Sequence, residues 1–127
     1  MKKEIRYELS NSENEIMKYL WENQANKGKS FGEIMYYLNN DIQKNWKKQT
    51  VNTLLKRMID KGLVMINQDF KNKLYVASVT QLEYERGKAR AFLNEFYKGS
   101  VTGFMSALTG GEKLDKKTAD ELRKMLD

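Results

Sequence analysis

Between Trp46 and Gly62 the chain sets Lys47, Lys48, Gln49, Thr50, Asn52, Thr53, Lys56 and Arg57 around Val51, Leu54, Leu55, Met58 and Ile59. The apolar members recur every three or four positions, which predicts a helix from about Lys48 to Lys61 with one buried face. Gly62 is well placed as its C-terminal stop. The outward residues mix two kinds of chemistry. Long cations suit phosphate oxygens, while Gln49, Thr50, Asn52 and Thr53 could meet base edges, the amides through hydrogen bonds and threonine through a methyl against thymine. Lys71 and Lys73, near the tip of a following hairpin, could straddle the adjacent backbone.

The charge is concentrated here. Residues 44–79 hold Lys44, Lys47, Lys48, Lys56, Arg57, Lys61, Lys71 and Lys73 against Asp60 and Asp69, a net +6 that equals the net charge of all 127 residues. Such a cationic face is the footprint of a protein that meets a polyanion. A solvated helix face and a protein-binding module are the competing readings. A local conflict favours the polyanion. Cations at a helix N-terminus oppose the helix dipole by about 0.3–1 kcal/mol each. Yet this helix starts at Lys47 and Lys48, neither a good cap, with Lys44 just ahead. An external phosphate would supply the missing negative charge. Lys48, Thr50, Thr53 and Arg57 are the leading contacts; solvation weighs more heavily for Asn52 and Lys56. A tyrosine such as Tyr75 in a wing strand fits packing better than recognition.

Other chemistries lack their residues. With neither Cys nor His, the thiolate and imidazole ligands of zinc, copper and haem iron are missing, as are Cys–His and Ser–His nucleophile pairs. Scattered carboxylates fit a solvated surface, and Gly110-Gly111 is a joint and not a phosphate cradle. No enzyme, cofactor or metal is expected. No apolar run approaches the roughly 20 residues that cross a bilayer. The opening Met1-Lys-Lys-Glu-Ile-Arg-Tyr-Glu8 has no apolar segment to make a secretory signal, so a cytoplasmic protein without a membrane partner is expected.

The surrounding elements can be read from caps and periodicity. Ser10 with Glu13 forms a capping box that opens a first helix carrying Ile16, Met17, Leu20 and Trp21 and ending near Asn23. After the polar stretch Asn26–Lys29, Ser30 with Glu33 opens a second helix with Phe31, Ile34, Met35 and Leu38 inward, broken by Asn39-Asn-Asp41. Trp46 and Val51 occupy staple positions about a cap at Lys47. Leu63–Ile66 and Leu74–Ala77 read as two strands around the loop Asp69–Asn72. Three helices followed by a two-stranded hairpin is the order of a winged helix-turn-helix domain.

From Thr80 the pattern is helical again. Leu82, Ala89, Phe92, Leu93, Phe96 and Tyr97 mark a long helix ending at Gly99. Val101, Phe104, Met105 and Leu108 mark a short one, and Asp115 caps a last helix with Ala119, Leu122, Met125 and Leu126. These amphipathic segments have no sheet to cover them. A small bundle is one solution, but pairing two chains buries far more surface. The expected organisation is a winged-helix DNA-binding domain over 1–79 and a helical dimerisation domain over 80–127. The fold class is mainly α with a small β-wing.

The stretch from Trp46 to Val64 also resembles the recognition helix of the BlaI/MecI-type penicillinase repressors, whose pattern is a tryptophan and then Thr-Val/Ile-x-Thr-Leu-x-x-Arg-Leu-x-x-Lys-Gly. Glu8–Glu13 with Glu15–Met17 and Leu20-Trp21 is similar to that family's first helix, and Phe96–Gly99 and Asp120–Leu126 to its C-terminal part. The resemblance covers nearly the whole chain. It implies a homodimeric repressor on a palindromic operator of double-stranded DNA, controlling a resistance or copper-homeostasis operon. By position, Thr50 and Thr53 would face bases, Lys48 and Arg57 would hold phosphates, and the helices after Thr80 would pair the subunits.

Departures from the pattern are informative. Lys47-Lys48 stand where the family often has Ser-Pro, weakening the cap and raising the charge, and Gln49 replaces a common lysine. Cysteine pairs of the copper-responsive relatives are missing. The β-lactam-responsive relatives are cleaved by an inducing protease at an Asn-Phe bond; Ala107-Leu108 falls there, so the bond is not preserved and helix packing is the favoured role for both residues. The expected function is therefore a winged-helix transcriptional repressor. The alternatives are a winged-helix interaction module for an acidic protein partner and an architectural protein without sequence preference.

Overall fold

The computed structural model describes residues 4–25, 27–69 and 71–126, without the side chains of Asp69, Met125 and Leu126. Phe70 of the hairpin loop and the opening Met1–Lys3 lie outside the described residues. Two compact units, Met1–Lys88 and Ala89–Asp127, divide the chain.

In the first unit the two capping boxes form as their residue types require. Ser10 Oγ accepts from the Glu13 amide at 3.1 Å, and the Glu13 carboxylate accepts from the Ser10 amide at 3.0 Å, starting α1 (Asn11–Glu22). Ser30 and Glu33 repeat the arrangement at α2 (Phe31–Tyr36). Helix α3 spans Lys48–Asp60 and ends on a Schellman motif. The Leu63 amide donates to the Met58 carbonyl and the Gly62 amide to the Ile59 carbonyl, with Gly62 at φ 79°. That left-handed conformation suits glycine. Ile16, Met17, Leu20, Ile34, Leu38, Val51, Leu55 and Met58 close into one core with Leu63 and Val64.

The polar triplet Asn39–Asp41 does not break the second helix. The chain continues as a π-helical turn, Tyr37–Asp41, with the Ile42 amide donating to the Tyr37 carbonyl at 3.1 Å. Leu38 remains fully buried, so packing holds the turn wound beyond the point where local propensity would stop it.

The wing is a three-stranded sheet and not a hairpin alone. Strands β2 (Val64–Asp69) and β3 (Asn72–Ala77) pair antiparallel, and β1 (Lys29–Ser30) adds to the other edge of β3 through Lys29–Tyr75 and Ser30–Leu74. Two residues are too few for a periodic signal, and Lys29 looks like loop. The hairpin strands also extend into their polar ends, because ladder bonds come from backbone and need no apolar side chain.

Helix α4 (Gln81–Tyr97) buries Tyr84, while Leu82, expected on the inward stripe, is 54% exposed. Tyr84 completes an aromatic group with Trp21 and Tyr7, and Trp21 Nε1 donates to the Val79 carbonyl at 3.0 Å. The Tyr7 ring occupies the space a Cβ on Gly87 would need. The first turns of α4 thus belong to the first unit.

The second unit holds the end of α4, α5 (Val101–Thr109) and α6 (Lys116–Leu126). Ser100 caps α5 through the Gly103 amide, and Asp115 accepts from the Thr118 amide at 2.7 Å ahead of α6. Among the described residues no helix is long and apolar enough to cross a membrane. The architecture is a winged helix-turn-helix followed by a helical C-terminal part.

Candidate nucleic-acid interface

Helix α3 buries Val51, Leu54, Leu55 and Met58 and leaves Lys48, Gln49, Thr50, Asn52, Thr53, Lys56 and Arg57 exposed. The expected division of the helix into two faces is therefore present. Lys47, Gln49, Thr50, Thr53 and Arg57 line one shallow concavity of about 380 Å³, floored by Leu54. Thr53 Oγ1 donates to the Gln49 carbonyl at 2.9 Å. Its proton is thus spent inside the helix, and it offers outward a methyl group and an acceptor lone pair.

The N-terminus of α3 carries an electrostatic imbalance. Lys47 is the cap residue and makes no capping bond, and the first turn contains no acid. In contrast, serine side chains cap α1, α2 and α5. The partial positive charge of the first-turn amides therefore meets two lysines and no acceptor at the cap.

Seven of the eight cations counted from the sequence remain exposed at the surface; Lys61 does not. Its ammonium lies 2.9 and 3.1 Å from the two Glu13 carboxylate oxygens, with only 14% of its side chain exposed. The Arg6 amide donates to the Lys61 carbonyl at 2.9 Å. Burial would raise the Glu13 carboxyl, but the Ser10 amide, the Lys61 ammonium and the Ser10 hydroxyl together hold it below its ordinary range. Lys61 thus ties the C-terminal end of α3 to the start of α1. The Glu13 capping box is legible in the sequence; its partner 48 residues away is not.

On the wing, Lys71 is exposed in the turn, and Lys73 sits 5.6 Å over the Tyr75 ring. Tyr75 is 6% exposed, in line with a packing residue. Strand β2 adjoins α3, so wing and helix belong to one unit.

The residues expected to pair subunits lie in the second unit. Phe104 packs edge to face on both Phe92 and Tyr97, with ring centroids 6.0 and 5.4 Å apart, while Tyr97 and Phe96 lie tilted against Phe92 at 6.0 and 5.0 Å. Even so, no described side chain of that unit is buried. Phe92 is 45% exposed, Phe96 62%, Val101 61% and Leu108 67%. Leu93, Met105 and Leu122 are half-buried, and the side chains of Met125 and Leu126 lie outside the described residues. Ala107 and Leu108 are both exposed near the end of α5, so the packing role expected of them is not met within the unit.

Comparison with known proteins places the chain. Residues 9–127 match the family model described as penicillinase repressor. The chain is 28% identical over 122 residues to the methicillin resistance regulatory protein MecI of Staphylococcus aureus (strain N315), covering 95% of this chain and 94% of that protein. It is 24% identical over 120 residues to the penicillinase repressor of Bacillus licheniformis, covering 94% and 90%. Against the penicillinase repressor of Staphylococcus aureus it is 25% identical over 122 residues, covering 94% and 91%. The chain belongs to the penicillinase repressor family.

Proposed function

We propose that this family member is a homodimeric transcriptional repressor that lays α3 in the major groove of a palindromic operator governing a resistance or stress operon. The observation that carries the reading is the exposed face of α3: donors, acceptors and cations side by side, beginning at an uncapped, lysine-flanked helix terminus. Lys47, Lys48, Lys56 and Arg57 hold phosphates, and Gln49, Thr50, Asn52 and Thr53 read base edges. Lys71 and Lys73 on the wing grip the neighbouring backbone. In this reading Thr53 acts through its methyl, since its hydroxyl proton is engaged by Gln49.

Pairing of two chains is supported by the second unit, whose aromatic cluster leaves Phe92 and Phe96 open to water. A second copy offering the same face covers both through a two-fold interface, and two-fold symmetry in the protein asks for a palindrome in the DNA. Cleavage by an inducing protease between Ala107 and Leu108 would require the last turn of α5 to unwind, because extended backbone is what a protease accepts.

Selecting genomic fragments with the purified protein, then titrating the winner and a random duplex at two salt concentrations, tests the reading. A repressor prefers the selected fragment by roughly 10³-fold or more, with steep salt dependence on both. Binding without preference would mark an architectural protein. Failure to bind any duplex at low ionic strength would leave the interaction-module reading with an acidic protein partner.

A further inference from the structure

We infer that Asn39 is a positioning residue that aims the N-terminal turn of α3, an inference that rests on α3 being the element that reads DNA. The link between α2 and α3 is held in an unusual way. After the π-helical turn, the Lys44 amide donates to the Leu38 carbonyl at 2.8 Å, and Gln43 and Asn45 sit at φ 53° and 56°. Two non-glycine residues in the left-handed region within three positions make a link that persists only where its surroundings enforce it.

Asn39 is well placed to enforce it. Its Nδ2 donates to the Trp46 carbonyl at 2.9 Å, and its Oδ1 accepts from the Trp46 amide at 2.8 Å. One side chain therefore grips both polar backbone groups of the residue immediately before the cap of α3. Trp46 itself packs against the core.

The two ends of α3 are secured by different means. At the C-terminal end Lys61 is bonded to Glu13 and the Schellman turn is closed. At the N-terminal end the cap residue contributes no side-chain bond, so the direction of the first turn depends on the Asn39 grip one residue upstream. Lys47, Lys48, Gln49 and Thr50 all leave from that turn. Releasing the grip lets the first turn fray while the core beneath Leu54, Leu55 and Met58 stays closed. Base contacts depend on direction and weaken most; phosphate contacts through long lysines adapt.

The test compares full-length wild type, Asn39→Ala and Asn39→Asp on the selected operator and on a random duplex, with amide hydrogen exchange across residues 51–53, the first α3 amides that bond back to the carbonyls of the opening turn. Asn39→Ala should lose about tenfold on the operator and less than about threefold on random DNA, with an unchanged salt slope on the latter. Asn39→Asp keeps the acceptor for the Trp46 amide but turns a carboxylate on the Trp46 carbonyl, and should fall about as far. Exchange at 51–53 should quicken in both while the melting transition stays cooperative. Should Asn39→Ala fail to fold, Asn39→Asp, which retains one bond, carries the same comparison. Wild-type exchange at 51–53 and a wild-type operator preference in a folded variant would overturn the inference, as would equal losses on both duplexes. A wild type that selects no duplex overturns the proposed function instead, and the exchange comparison still decides whether Asn39 holds the turn.

Discussion

Thr53 shows how a single hydrogen bond changes what a residue can read. Because its Oγ1 donates to the Gln49 carbonyl, the hydroxyl has no proton left for a base acceptor. Thr53→Val keeps the methyl and should hold operator affinity within a few fold, whereas Thr53→Ala should lose discrimination of about 1–3 kcal/mol. Equal penalties for both would mean the lone pair is what is read. Glu13 illustrates the opposite case, a charge turned wholly inward. Its folded-state pKa is depressed below the ordinary glutamate value. The stabilisation is therefore present above the unfolded value and lost as pH falls through the folded one. Glu13→Gln should flatten the acid limb of a stability profile as pH falls from neutral through and below the ordinary glutamate value. It should also lower stability at neutral pH by roughly 2–3 kcal/mol, because Lys61 is left buried without its counter-charge. Denaturant titrations across that pH range read both effects at once; an unchanged acid limb would show the pair contributes nothing to it.

At the scale of elements, α3 trades its own stability for a charged entrance. Lys47→Ser supplies the hydroxyl acceptor that α1, α2 and α5 already possess and removes a cation from the dipole's positive end. The expected outcome is a gain of about 0.5–1.5 kcal/mol in unfolding free energy together with weaker DNA binding and a salt slope lower by about one unit. A variant that gained both stability and affinity would show that the lysine cap has no role in binding. The same local rules explain what could be seen beforehand. Ser10–Glu13, Ser30–Glu33 and the threes and fours of α3 are short-range signals, and all three helices start where those signals lie. The π-helical turn, β1 and the place of Tyr84 were not legible. Each depends on a partner distant in the chain: the core around Leu38, the free edge of β3, and the Trp21 ring. On α3 the exposed face was legible because it is the complement of a periodic one. The Asn39 grip was not, because the polar triplet Asn39-Asn40-Asp41 reads locally as a break.

For the whole molecule the question is what the second unit is for. Its helices form and are capped, yet none of its described side chains reaches the burial of the first unit's core. A unit with this little interior cannot support itself on area alone, since roughly 25 cal/mol is gained per Å² of apolar surface covered. In the proposed dimer a second copy would cover Phe92, Phe96, Val101 and Leu108, which are exposed in the single chain, and so offset that deficit. A truncation should keep the first unit whole and end after Lys88, because a cut at the expected boundary of 79 would remove Tyr84 from beside Trp21. The 1–88 fragment should melt cooperatively and sediment as a monomer. On a palindromic duplex it should bind each half-site independently, losing about 10²–10⁴ in apparent affinity as the second contact ceases to be intramolecular. Its salt slope should be about half that of the full chain, because each monomer displaces only its own counterions. The halved slope is the decisive measurement. A truncation that merely loosened the winged helix would weaken binding too, but a fragment still paired through another surface would keep the full slope.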